Sequence, residues 1–248
     1  MSESAIVAPL RRVQRVQHEI RRRELRVVRV ESPSPGFRRI VLAGEALAGF
    51  VSASFDDHVK LLIDTGGAEP ARRDYTPRRH DAAAGELTLD FALHAHGAAT
   101  DWAARAKPGD ALVVAGPRGS FIIPVDYDWH LLVGDASALP AIERRLEELP
   151  ATARAIVLLQ LDPADRRPLA SRADVRLQHV DNSEALVAAA RALQLPPGEG
   201  YAWCAGEAST MAALRRVLVD EKGHDRHAIR AAAYWKRGAI AHHEHLDA

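Results

Sequence analysis

Six consecutive residues, Arg73-Asp74-Tyr75-Thr76-Pro77-Arg78, bring together two guanidiniums, a phenol and a hydroxyl. That set suits a ligand that is anionic at one end and a flat ring at the other. Arg73 or Arg78 can grip a phosphate with two parallel hydrogen bonds. Tyr75 can lie against a ring, and Thr76 can exchange one hydrogen bond at the ring edge. On a strand, Arg73 and Tyr75 share one face and Thr76 and Arg78 the other. Pro77 has no donor, so it belongs at a strand end or an edge. The same residues also make an ordinary polar surface strand.

Other stretches carry chemistry of the same kind. Gly97-Ala98-Ala99-Thr100 are small residues ahead of a short helix expected over Asp101 to Ala106, with Trp102 in it. Small residues admit a close ligand, and helix N-termini favour phosphate. His94 and His96 would share a strand face, where a metal pair is conceivable, but no third ligand is apparent nearby. Gly134-Asp135-Ala136-Ser137 and Ala205-Gly206-Glu207 each follow a buried apolar run and precede a helix. In a parallel sheet such turns lie beyond the carboxyl ends of strands, where ligands bind. Neither is a G-x-G-x-x-G fingerprint. Lone Cys204, after Trp203, reads as a small core residue. His242, His243 and His245 read as part of a polar tail.

The elements that must position these residues fall into two textures. From Glu24 to Phe121 short alternating strands and turns dominate: Leu25 to Val30, Phe37 to Leu42, Val59 to Ile63, Leu87 to Leu93 and Ala111 to Ala115. Several strands with little helix predict a small antiparallel barrel. From Trp129 strands alternate with helices: Trp129 to Val133, Ala155 to Gln160, Val175 to Val180 and Tyr201 to Cys204 are the strands. One helix carries Leu139, Ile142, Leu146 and Leu149 on a single face, and another runs from an Asn182-Ser183 cap to about Gln194. That pattern predicts a doubly wound parallel sheet. The domains expected are 1–127, with 1–23 a basic lead-in or short amphipathic helix, and 128–248.

Composition excludes several classes. Lys plus Arg and Asp plus Glu are 33 each, so overall charge does not drive nucleic-acid binding, though a local basic pocket is open. A single cysteine rules out an internal disulfide and a cysteine-based zinc site. No apolar run approaches membrane-spanning length, and the Arg-rich start lacks a signal-peptide core. These features point to the cytoplasm, and a monomer is expected.

A strand-rich half, an R-x-Y-T motif, a glycine-bounded turn and a βαβ half stand here in one order. With Pro108-Gly109-Asp110, Gly116-Pro117-Arg118-Gly119-Ser120-Phe121 and Tyr234-Trp235, the chain resembles the siderophore-interacting proteins over roughly residues 24 to 240. These are ferredoxin-reductase-like flavoproteins that reduce ferric siderophores. The resemblance implies a six-stranded FAD-binding barrel and an NAD(P)H-binding α/β domain. It implies that Arg73 holds the FAD phosphates, Tyr75 stacks on the flavin, Thr76 meets the ring and the Gly97 to Thr100 turn takes the pyrophosphate. Arg78, His94, His96 and Trp102 join that cofactor set. Tyr234 and Trp235 would lie near the flavin, with Asp135, Ser137, Gly206 and Glu207 on the nicotinamide side. Lys60, Lys236 and Arg237 would form a basic pocket for an anionic ferric siderophore, and no protein acid, base or nucleophile is needed. Ala98-Ala99-Thr100 stands where Gly-Pro-Ala-Ser is usual, Ser137 replaces a common Thr, and Ala233 a common Gly. A ferredoxin donor, a general flavin reductase and a non-redox siderophore binder are the alternatives.

Overall fold

The computed structural model describes residues 12–93 and 97–238, and the backbone of 244–245. His94 and His96 lie outside the described residues, as do His242 and His243. The first half contains β1 (Gln14–Gln17), β2 (Arg22–Ser34), β3 (Phe37–Ala43), β4 (Val59–Ile63), β5 (Ala71–Tyr75), β6 (Arg79–Asp81) and β7 (Glu86–Ala92). Helix α1 (Ala98–Arg105), β8 (Ala111–Ala115) and β9 (Gly119–Ile122) complete it.

Seven of these strands form one antiparallel sheet in the order β5-β4-β8-β2-β3-β7-β6. β5 and β6 are its two edges, yet only Thr76-Pro77-Arg78 joins them. A flat sheet of that size would separate its edges by about 29 Å. The chain from Tyr75 to Arg79 can span at most about 14 Å. The sheet must therefore curl until its edges nearly meet, and the R-x-Y-T-P-R stretch is the seam. Inward-facing Leu25, Val27, Ile40, Leu42, Leu61, Ile63, Leu87, Leu89, Phe91, Leu112 and Val114 fill the curl, with Ala99 and Ala103 of α1 across one end. Each large aliphatic side chain buried there contributes about 1.5–3 kcal/mol.

Three expectations are corrected in this half. The sheet has seven strands, not six: β6 is three polar residues, too short to show a period of two. The basic lead-in is neither helix nor unstructured arm where it is described, because β1 pairs antiparallel with β9 and Arg22 already opens β2. α1 begins at Ala98, so Ala98, Ala99 and Thr100 form the first helical turn rather than a loop before it.

The second half runs β10 (Trp129–Gly134), α2 (Leu139–Glu148), β11 (Arg154–Gln160), β12 (Asp174–Val180), α3 (Ser183–Ala192), β13 (Gly200–Glu207), α4 (Ala208–Arg216), β14 (Ile229–Trp235) and β15 (Glu244–His245). The order is β12-β11-β10-β13-β14-β15, parallel except for β15, a short antiparallel edge. Alternation splits the apolar strands between two layers. Leu132, Val157, Leu159, Trp203 and Ala205 face α2 and the antiparallel half. Leu131, Val133, Ile156, Leu158 and Cys204 face α3 and α4. Cys204 is thus a core residue, and burial alone pushes its thiol up to about 12.

The halves are joined through α2. Glu143 accepts from Arg78 Nε at 3.2 Å and from Arg167 Nε at 2.9 Å, with Arg39 Nη2 3.8 Å away. Arg39 itself grips Asp90 with two bonds of 2.7 Å. Arg78 Nη1 reaches Glu147 at 2.9 Å. Arg144 donates to the Ser52 hydroxyl and to the Pro77 carbonyl at 2.8 and 2.9 Å. Arg78 is only 8% exposed, so its charge is compensated inside the interface. Removing one member of such a cluster strands the others out of water. Glu143→Leu is therefore expected to lower unfolding free energy by about 3–5 kcal/mol. Glu31→Ala, which breaks an exposed pair with Arg29, should cost less than about 1 kcal/mol. Urea unfolding of the two variants tests the contrast.

Candidate functional site

The seam of the curled sheet and the carboxyl ends of the parallel strands converge. On β5, Arg73 and Tyr75 pair with Leu61 and Val59, so they point to the inner face. Tyr75 packs on Phe91, ring centroids 4.4 Å apart, and Trp102 of α1 lies 5.7 Å beyond Phe91. Burial pushes the Tyr75 phenol above its ordinary range, so it stays neutral. The Arg73 guanidinium donates to the Arg72 carbonyl at 2.8 Å, and no carboxylate pairs with it among the described residues. The N-terminus of α1 is capped by Gly97, with no side-chain acceptor on its first N–H groups. Nothing stands within 4 Å of where a Cβ on Gly97 would lie. Helix N–H groups without a side-chain cap, an open approach at Gly97, a guanidinium with no carboxylate partner among the described residues and an aromatic face together fit a dinucleotide with a flat ring.

On the parallel sheet, β10, β13 and β14 end side by side. Asp135 staples them: Oδ1 accepts from Ser137 N at 2.8 Å and from the Ser137 hydroxyl, and Oδ2 from Glu207 N at 3.0 Å and Trp235 Nε1 at 2.8 Å. Gly206 must be glycine for this. Its φ is 152°, and a Cβ there would come within 2.5 Å of Asp135 Oδ2. Glu207 caps α4 by accepting from Thr210 N at 3.0 Å and from the Ser209 hydroxyl, while Oε1 takes Arg237 N at 3.5 Å. Burial raises the pKa of this carboxyl. The Ser209 hydroxyl and the N–H groups of Thr210, Arg237 and Ser209 outweigh that and hold it below its ordinary 4.5.

Alternation along β14 sends its two terminal aromatics opposite ways. Tyr234 points to the antiparallel half, where its phenol reaches Asp56 Oδ1 at 3.4 Å and the Thr76 hydroxyl lies beside it. Trp235, 40% exposed, braces Asp135 instead. Tyr75, Thr76 and Tyr234 thus come together at the seam. Asp135, Ser137, Gly206, Glu207 and Trp235 form a second group on the sheet ends.

Two expected residues are placed elsewhere. Arg78, read as a phosphate ligand, is committed to Glu143 and Glu147 at the interface. Lys60, read as part of the basic pocket, stands on the outer face of β4, opposite Leu61, and pairs with Asp74 at 2.6 Å. Lys236 and Arg237 are exposed, and among the described residues neither side chain has an acidic partner. Asp56, which collects several bonds at this site, carries no sequence signal beyond following a Ser-Ala-Ser-Phe turn. A cavity of about 310 Å³ lined by Arg154, Asp174, Arg176 and Gln194 opens at the amino ends of β11 and β12, away from all of these groups.

A curled antiparallel sheet packed on a parallel sheet whose carboxyl ends face it places the chain in a two-part class, an antiparallel barrel-like half followed by a doubly wound α/β half. Residues 26–72 and 64–121 match the family described as siderophore-interacting FAD-binding domain, and 127–238 the family described as siderophore-interacting protein. The chain is 41% identical to an NADPH-dependent ferric-chelate reductase of Escherichia coli over 90% of this chain and 96% of that one. It is 32% identical to the ferric vibriobactin reductase ViuB of Vibrio cholerae, over 90% and 93%. A crystal structure of a siderophore utilization protein from T. fusca superposes with a TM-score of 0.85 at 34% identity, covering 92% of this chain and 97% of that one. The chain belongs to the siderophore-interacting protein family, and its first half is an FAD-binding domain. No helix among the described residues is long and apolar enough to cross a membrane.

The Glu207 cap carries a pH signature. Its folded-state pKa is depressed, so its stabilisation is present above about pH 4.5 and is lost as pH falls through the folded value. Glu207→Ala should cost about 1 kcal/mol at pH 7, as a lost helix cap does. The gap from the parent should narrow as unfolding is measured at progressively lower pH below 4.5.

Proposed function

We propose that this protein is an FAD-dependent reductase that takes electrons from NADPH and delivers them to Fe(III) held in a siderophore, releasing iron as Fe(II). The observation that carries this reading is the meeting of Thr76 from the seam with Tyr234 from the sheet end. It supports a single site shared by the flavin-fitting residues and the nucleotide-fitting strand ends. The names of the Escherichia coli and Vibrio cholerae relatives supply the donor and the class of acceptor. The division at 127/128 follows the same logic, one half for each nucleotide. NADPH as donor favours the cytoplasm, and the chain is read as acting as a monomer.

FAD held there would supply the conversion of a two-electron hydride into single electrons, which is the chemistry that ferric iron requires. One NADPH therefore reduces two Fe(III). Arg73 and the first N–H groups of α1 would hold the phosphates, and Tyr75 would lie along the ring system. Gly206 lets β13 pass close to Asp135, and the Asp135 and Glu207 staples fix the floor against which a nicotinamide would rest. Siderophore oxygens are hard ligands that hold Fe(III) far better than Fe(II), so one electron loosens the complex. Trp235, Lys236 and Arg237 border the open side, where a bulky anionic chelate can approach.

The purified protein should be yellow. Anaerobic NADPH should bleach it, and a ferric siderophore should restore the colour. A colourless protein that binds the siderophore would make it a carrier. Bleaching by reduced ferredoxin but not by NADPH would replace the donor, and reoxidation by free flavin alone would make it a general flavin reductase. Arg73→Ala removes charge-assisted phosphate bonds worth about 1.5–3 kcal/mol. Flavin should be lost on gel filtration while the circular dichroism of the fold is unchanged. Full flavin retention would remove Arg73 from the phosphate site.

The two exposed cations generate a separate expectation. Their attraction for an anionic chelate acts through solvent and is screened within about 8 Å at physiological salt. Lys236→Ala with Arg237→Ala should raise the KM for the ferric siderophore at low salt and flatten its salt dependence. Bleaching by NADPH should be nearly unchanged.

A further inference from the structure

Asp56 lies in the loop before β4 and is 5% exposed. Its carboxylate gathers three side chains from the other half of the molecule. Oδ1 accepts from Trp203 Nε1 at 3.0 Å and from the Tyr234 hydroxyl at 3.4 Å. Oδ2 is ion-paired with the Arg230 guanidinium. Arg230 is itself buried and lies 4.2 Å from the centre of the Phe121 ring. Trp203 meets Phe55 edge-on at 5.3 Å and Tyr234 at 6.2 Å.

The arrangement gives the Tyr234 phenol a direction. A carboxylate can only accept, so the phenol must donate to Asp56, which leaves its oxygen to receive the Thr76 hydroxyl. Burial, and next the charge of Asp56, hold the phenol well above its ordinary pKa of 10, so that donor is never lost. A buried ion pair is a poor source of stability, because apolar groups of similar size often do as well. What a charged pair does supply is a fixed geometry. Here that geometry ties a loop of the curled sheet to β13 and β14 immediately beneath the groove.

We propose that Asp56 is a positioning residue: held by Arg230, it aims the Tyr234 ring and, through the phenol, the Thr76 hydroxyl at the seam where the flavin binds. This rests on the reading that Tyr234 lies beside the flavin. Arg230 is the counter-ion of the buried acceptor, and Trp203 fixes which oxygen faces the phenol.

The test compares the parent with three variants, with Tyr234→Ala and with the double variant carrying Tyr234→Phe, each as FAD-loaded protein and as apoprotein titrated with FAD. Asp56→Asn with Arg230→Gln removes both charges together and avoids stranding either. Tyr234→Phe keeps the ring and removes the phenol. Trp203→Phe removes one bond to the same oxygen without touching a charge, and covers the case in which the double variant does not fold. The readouts are apoprotein FAD affinity, fluorescence yield of the bound flavin, and the rate of bleaching by NADPH at saturation. The double variant should release flavin fluorescence and slow bleaching roughly tenfold with little change in KM, as misplacement of a reacting group does. Tyr234→Phe should show the same losses, and adding it to the double variant should add little, since the residues act as one unit. Trp203→Phe should fall between.

Parental fluorescence and bleaching in the double variant, with only a lower Tm, would overturn the proposal and leave Asp56 a structural residue. If Tyr234→Ala alters fluorescence and bleaching but Tyr234→Phe does not, the ring matters and its aim does not; the proposal fails while the flavin-side reading of Tyr234 stands. If Tyr234→Ala changes neither, that reading itself fails.

Discussion

Three residues join the opposite edges of a seven-stranded sheet, and most of this molecule follows from that shortness. Thr76-Pro77-Arg78 cannot bridge a flat sheet, so the sheet curls. The curl buries one apolar face and leaves β5 with its inner side turned toward a groove. Pro77 suits the place because it needs no ladder partner for a missing N–H. The residue before it rises toward the groove, and the one after it dives into the interface. One tight connection therefore turns Thr76 toward Tyr234 and Arg78 toward Glu143 and Glu147 of the other half.

The interface then converts that geometry into a fixed spacing between two nucleotide sites. Arg39, Arg78 and Arg167 converge on Glu143, while Asp90 and Glu147 balance the excess of positive charge. Each ion loses much of its hydration there, so the cluster is favourable only if every member is present and well placed. Such an arrangement resists sliding. A gap of an ångström would leave charges unpaired, whereas an apolar interface could repack. Rigid spacing suits a reaction in which a hydride must pass from one bound ring to another.

At the strand ends the carboxylates act as structural staples. Asp135 binds groups from three neighbouring segments, and Glu207 closes the first turn of α4. Each is saturated by hydroxyl, indole or amide donors of the chain itself. With their oxygens taken up by the chain itself, they fix the geometry of the strand ends.

The two textures of the chain were legible from periodicity, because strand alternation and helical spacing are local properties. So was the change from antiparallel to parallel architecture near Trp129, and the glycines and small residues that mark turns beside strand ends. Residue types likewise singled out Arg73, Tyr75 and Thr76 as candidate ligand contacts, and the resemblance added Tyr234. Which charges were free was not legible. Arg73 and Arg78 look alike in sequence, five positions apart, yet Arg78 meets Glu143 and Glu147, more than sixty residues away. Lys60 and Lys236 look alike too, but strand alternation places Lys60 on the outer face beside Asp74. Asp56 had no local signature, since its partners Trp203, Arg230 and Tyr234 come from distant strands. β6 escaped because three polar residues carry no period. Local pattern is written in neighbouring residues and can be read from them. The pairing of charges depends on which segments the fold brings within about 4 Å, and long-range packing alone decides that.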